Sequence, residues 1–448
     1  MKNRALRRLW FPSVLALVVA VVFVALGPLS GSPTAAERLA ALAPPGADST
    51  PFSAPPDASP TEREIAKQYE TIRQFPDTVG AYVLLGNAYL QHVREKGDPS
   101  DYGRAEAAFD EALKREPNNV DALIGKGVLE LARHDFAAAL ALGQQAVTIS
   151  PHTARAHGVV VDALTELGRY DEALASTQTM VDLRPDLASF SRVSYQRELR
   201  GNIDGAIDAM SRAYDMSVGT SVENREYTRV LIGDLHLLKG DAATAEQIYH
   251  ASLQTSPGFV WALVGLGRTE AARGDLDAAI AHYQQAVDTI PLPEFLIALG
   301  EAQEAAGLET EARQSYELVQ AIRALFAENG VNVDLELALF EANHGDPAAA
   351  AELAGRAYAV QPNVKAADAL GWALHRAGRS EEAQRYADEA LGLGAAYGPF
   401  HFHAGMIALE LGDEDAARGH LAKALEAAPT LAPLDLLAAQ ETLEQLGG

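Results

Sequence analysis

From Val79 to about Thr430 apolar residues recur at three- and four-residue steps, in helix-length stretches separated by short polar turns. One unit, "VWALVGLGRTEAARGDLDAAIAHYQQAVDTIP" (Val260–Pro291), shows the pattern. Gly274 follows a first apolar stripe, and a second stripe carries Ala279, Tyr283 and Ala286 before Pro291 ends it. The spacing predicts two amphipathic helices. A glycine after the first helix supplies the left-handed residue that ends it, and a proline stops the second by lacking an amide hydrogen. Alanines at the facing positions let the pair approach closely.

The unit repeats. Pro117, Pro151 and Pro185 lie 34 residues apart, as do Pro257 and Pro291. Anchored on the turn residue, the copies fall at Lys96–Gly97, His134, Gly168, Gly201, Gly240, Gly274, Gly307, Gly345, Gly378 and Gly412. This series resembles the tetratricopeptide repeat, a helix–turn–helix unit of about 34 residues. The resemblance implies an all-α, right-handed superhelical solenoid of about ten repeats, spanning 79–431. Three copies carry extra residues: "REKGDPSDYGR" in the first, Val218–Arg225, and Ala321–Val331. Such insertions read as tolerated decoration. Ser59 and Glu62 form a capping-box pair ahead of a helix over Thr61–Gln74, a lid for the array within 61–78. "PLDLLAAQETLEQLG" within 432–448 is the closing helix.

Members of this family bind partners in an inner groove lined by the first helix of each copy. The family's groove positions fall here on Asn87, Gln91, Arg155, Asp162, Tyr227, Asp234, Trp261, Arg268, Glu301, Asp368, Trp372, His375, Phe402, His403 and Met406, with Tyr195 in a copy whose register is open by one residue. Aromatic residues and arginine are common anchors for peptides and proteins. The alternative for Trp261 and Trp372 is packing between neighbouring copies. Asn87 alone matches the family's clamp for a terminal carboxylate, without its basic companions, so that activity is not carried over.

The N-terminus differs in kind. No residue from Leu9 to Leu29 is charged, and "VLALVVAVVFVAL" (Val14–Leu26) is continuously apolar behind Lys2, Arg4, Arg7 and Arg8. Residues 1–30 therefore read as a signal-anchor with the body extracytoplasmic on a bacterial cell membrane, or as a signal peptide cleaved near Thr34-Ala35-Ala36 from a secreted or periplasmic protein. Residues 31–60 hold seven prolines among Ala, Ser and Gly and read as a tether.

Charge and chemistry narrow the function. The net charge of −25 and the absence of any basic stripe argue against a nucleic-acid partner. Without cysteine there are no disulfides, thiolate metal sites or cysteine nucleophiles. No phosphate-binding glycine loop, G-x-S-x-G or H-E-x-x-H occurs, and Gly265-Leu-Gly267 sits inside a helix pattern. The expectation is a non-catalytic protein- or peptide-binding scaffold without cofactor or metal. Capture of a metal or small ligand by the twelve histidines is the alternative. His152 and His157 do not share a helix face. In "FHFHAGMIALELGD" the two histidines point about 200° apart, so His401 takes a packed position and His403 falls near the groove. "SYQRELRGNIDGAIDAM", "NGVNVDLELALFEANHGD" and "DALGWALHRAGRSEEA" are similar to a lineage of exported bacterial tetratricopeptide proteins.

Overall fold

The computed structural model describes residues 35–45 and 53–447. Among these residues every regular element is helical, with twenty-three α-helices and one short 3-10 turn. Ten successive helix pairs run from Val79–Lys96 with Asp101–Arg115 to Gly398–Glu410 with Glu414–Glu426. The two helices of each pair pack together, and most first helices also meet that of the next copy.

Glycine and aromatic residues interlock to hold the pairs together. Tyr249, fully buried, fills the space over both Gly233 and Gly265. A Cβ built on Gly265 would lie 2.5 Å from that ring, so no side chain fits there. Phe109 closes on Gly86 and Gly125 in the same way, and Tyr283 on Gly267. Burying rings of this size contributes much of the array's stability.

The turn residue takes a left-handed conformation in nine of the ten copies, Gly345 (φ −137°) being the exception. His134 holds the same conformation (φ 61°) although it carries a side chain, a strained position for a non-glycine. Its Nδ1 donates to the Asn332 carbonyl at 2.8 Å, and Asn332 N donates to Arg133 O at 2.9 Å.

That pair of bonds is one of a series. Asn363 Nδ2 donates to the Glu166 carbonyl (2.9 Å), Val364 N donates to the Tyr170 hydroxyl (2.8 Å), and Tyr397 donates to Glu198 (2.7 Å). In each case the middle of one copy meets the loop entering the copy six further on. The array therefore completes a superhelical turn in six copies, and the second turn sits directly on the first. The groove is therefore not open along its length.

Insertions make this closure possible. The second helix of the seventh copy, Glu309–Glu328, has 20 residues where its counterpart Leu276–Thr289 has 14. Its extension and the following loop place Phe326, Val331 and Val333 in the hydrophobic core of the first two copies. The insertion around Val218–Arg225 places Glu223 against Gln91 of the first copy. The first of these segments joins the two turns and the second bridges two copies within the first turn, so neither is decoration.

At the N-terminal end the capping box is formed: Glu62 N donates to Ser59 Oγ (3.1 Å), and Ser59 N to the Glu62 carboxylate (2.5 Å). Part of the stretch read as tether is folded. Helix Ala35–Ala41 leads to Leu42, which is buried and whose carbonyl accepts from the Tyr89 hydroxyl at 2.7 Å, while Arg104 donates to the Ala43 carbonyl. The apolar segment within 1–30 lies outside the described residues. Among the described residues no helix is long and apolar enough to cross a membrane. At the other end, Pro433–Gly447 covers the tenth copy and also lies against the first helices of the sixth and seventh.

Candidate functional site

The inner faces of the first helices carry groups repeated at copy spacing. Tyr227, Trp261 and Phe295 stand 34 residues apart and form an edge-on stair, with ring centroids 5.5 and 5.0 Å apart. Phe295 was not among the sequence candidates, although the constant spacing points to it. Beside the stair, Asp234 accepts from the Tyr249 hydroxyl (2.7 Å) and lies 3.6 Å from Arg268. Burial raises the Asp234 carboxyl, and Arg268 and Tyr249 oppose that shift.

The other predicted residues separate into two groups. Asn87 and Arg155 are exposed, Arg155 beside Asp121. Asp162 accepts from Arg192 (2.8 Å), and half-buried Tyr195 has Lys365 over its ring at 5.1 Å. In the ninth and tenth copies the candidates are packed. Trp372 is 3 % exposed, donates to Asn343 (2.7 Å) and stacks on His403 at 4.3 Å. His403 is buried against Asp368 (2.9 Å), Phe402 is buried, and Met406 packs on the same core. His375 bonds Ser380 (3.0 Å), and burial lowers its pKa. Glu301 lies 3.3 Å from His344.

Three further histidines are engaged locally. His157 donates to the Pro151 carbonyl at 2.9 Å. His401 and His420 meet at 3.2 Å, and burial lowers the His401 pKa to about 4. The described residues contain no group of three or more His, Asp or Glu placed to hold a metal ion.

Seating one turn on the other divides the groove into partly enclosed spaces of about 640, 320 and 410 Å³, all three bordered by Thr430. The 3-10 turn Ala428–Thr430 lies against the inner helices of the fifth and sixth copies. The C-terminal segment therefore runs inside the superhelix.

The largest space is lined by Leu292, Ile297, Phe326, Leu339 and Phe340 together with Glu294, Glu301, Arg323, Glu336 and Asp435. Burial raises Glu294 and pushes Asp435 up to about 6. Burial also pulls Arg323 down to about 10, against the pull of Glu336 and Glu294, so it is still a cation at neutral pH. Perturbed groups converging on an apolar cavity mark it as a binding-site candidate. Sequence reasoning missed Arg323. The readable signal was the seventh copy's lack of a closing proline, since Ala324 stands where the sixth copy has Pro291.

Two tetratricopeptide repeat families match the chain, one over residues 92–154 and 369–432 and the other over 130–192 and 236–299. No curated protein matches it in sequence. Among solved structures, a chain of the APC/C hetero-tetramer Cut9-Hcn1 is 13% identical, with 87% of this chain and 96% of that one covered at a TM-score of 0.37. A thermophilic TPR protein of Thermus thermophilus is 18% identical over 47% of this chain and 100% of its own, at 0.37. Human IFIT1, solved as a dimer with m7Gppp-AAAA, is 17% identical over 74% and 78%, at 0.46.

Proposed function

From the premise that this chain belongs to the tetratricopeptide repeat family, we propose that it is a non-catalytic scaffold that binds a protein or peptide on the inner faces of its first helices. The observation that carries the reading is the step from exposed Tyr227 to half-buried Trp261, backed by fully buried Phe295, beside the Asp234–Arg268 pair: accessible aromatic surface next to both signs of charge. Aromatic steps of this kind anchor apolar side chains, while paired charges select polar neighbours. The partner reaches the stair from its Tyr227 end, where the ring is 40 % exposed, because the C-terminal turn and closing helix lie against the inner helices of the fifth to seventh copies.

Cross-linking in the native host, followed by identification of the captured protein, tests this. The double variant Tyr227→Ala with Trp261→Ala is expected to lose the partner with its helical circular dichroism unchanged. Full retention by a folded variant would remove the stair from the site.

The apolar, basic-flanked start of the chain supports a second part of the proposal, that the scaffold is held to a bacterial membrane with its repeats on the far side. Mass spectrometry of the native N-terminus separates an anchored chain from a cleaved one. A mature chain beginning near Glu37 makes it a secreted or periplasmic binder with the same groove.

A further inference from the structure

Arg323 is 3 % exposed, and its Nε and Nη1 have no hydrogen-bond partner. The ring of Phe340, 5.2 Å from the guanidinium carbon, is the neighbour it does engage. Leaving donors of a buried guanidinium unmet is costly, and a charged acceptor would satisfy them. The residue borders the 640 Å³ cavity, a volume in the range of small-ligand sites.

Two carboxylates in that wall, Glu294 and Glu336, act on Arg323 through space without bonding to it. Of the other acids there, Glu301 already lies against His344, and Asp435 lies in the field of His403 and His344. His134 stands 3.8 Å from Glu336 but spends its Nδ1 hydrogen on the Asn332 carbonyl. The remainder of the wall is largely apolar, with Ile297 and Leu339 facing the same space.

Charge balance selects the ligand class. A simple anion would satisfy Arg323 and be repelled by the carboxylates. A simple cation would suit the carboxylates and leave the guanidinium unmet. We propose that this cavity binds a small zwitterion with an apolar body, a free apolar α-amino acid, whose carboxylate bonds Arg323 and whose ammonium group lies between Glu294 and Glu336. The cavity's lining excludes Tyr227, Trp261 and Phe295, although Glu294 lies in the field of Arg268, so Arg323→Gln tests this site and the Tyr227→Ala, Trp261→Ala double variant tests the stair.

Calorimetry on the full-length protein tests it with leucine, phenylalanine and methionine, each beside its N-acetyl form, which keeps only the anion, and its amide, which keeps only the cation. At least one free amino acid binds saturably, and both of its blocked forms bind at least about tenfold more weakly, the factor for losing one charge-assisted bond. Arg323→Gln abolishes the preference for the free amino acid over its amide. Glu294→Gln erodes the preference over the N-acetyl form. If Arg323→Gln does not fold, the ligand series on the unaltered protein and the Glu294→Gln variant decide the matter. The proposal falls if a blocked form binds as tightly as the free one, or if none of the amino acids binds at about 10 mM.

Discussion

The sixth and seventh copies start from the same plan and end differently. Ala279, Tyr283 and Ala286 in the sixth correspond, 33 residues on, to Ala312, Tyr316 and Val319 in the seventh. Tyr283 packs over Gly267, and Tyr316 packs over Gly300 in the same manner. The divergence begins where Ile290-Pro291 is replaced by Arg323-Ala324. Without the proline nothing stops the helix. It continues to Glu328, crosses to the first turn, and carries Arg323 into the 640 Å³ cavity. A regular copy builds the wall of the solenoid, whereas this irregular one joins its turns and furnishes a site.

The largest effect is expected in the regular copy. Tyr283→Ala would empty a fully packed ring position and cost about 3–5 kcal/mol in urea unfolding. A loss under about 1 kcal/mol would mean that the interlock with Gly267 matters little. Ala324→Pro should come next, because it restores the missing stop and breaks the helix at a cost of about 3 kcal/mol. Its signature is spatial: amide exchange at Asn332 and protease cutting near Phe326–Gly330 should rise together as Val331 leaves the first-turn core. An unchanged melt with unchanged exchange would return the insertion to decoration.

Acidification probes a regular copy by a different route. His401 ionises near pH 4 in the folded chain against 6.5 when exposed, so the unfolded state takes up its proton first as pH falls. Stability from this group is complete above pH 6.5 and is lost progressively down to about 4. His401→Phe should therefore flatten the acid limb of a melting-temperature profile, raising the value at pH 5 by a few degrees relative to neutral pH. An acid limb of the same slope would assign it to other groups. His420, whose pKa burial also lowers, is the neighbour to replace next.

The regular plan was legible because each of its features has a local cause. A glycine, a small residue or a proline at constant spacing dictates helix ends and close approach wherever it occurs. The capping box at Ser59 and the closing helix from Pro433 are local in the same sense. Contacts six copies apart are not. The bond from Asn363 to the Glu166 carbonyl depends on how small rotations accumulate over about two hundred residues, and no spacing rule along the chain records that sum. For the same reason the inner-face candidates divided by turn. Tyr227 and Trp261 retain exposed surface, whereas Trp372, Phe402, Asp368 and His403, chosen by the same rule, are buried. Arg323 was missed because an arginine in an insertion has no family position to mark it.

The finest test of the six-copy register uses glycines that look alike in sequence. Gly201 and Gly274 both end a first helix with positive φ, at 69° and 81°. Alanine at either must enter a left-handed conformation, at a cost of about 1–2 kcal/mol. Only at Gly201 would the new methyl group also collide with a backbone oxygen, that of Gly394 on the next turn, whereas Gly274 faces open space. Gly168 and Gly240 repeat the Gly201 situation against the carbonyls of Pro362 and Glu426, and Gly378 and Gly412 repeat that of Gly274. Gly201→Ala should therefore destabilise more than Gly274→Ala, and the excess should vanish when the second turn is displaced by Ala324→Pro. Equal losses in the unaltered background would mean that the turns do not touch there in solution, and the closed superhelix would give way to an open one.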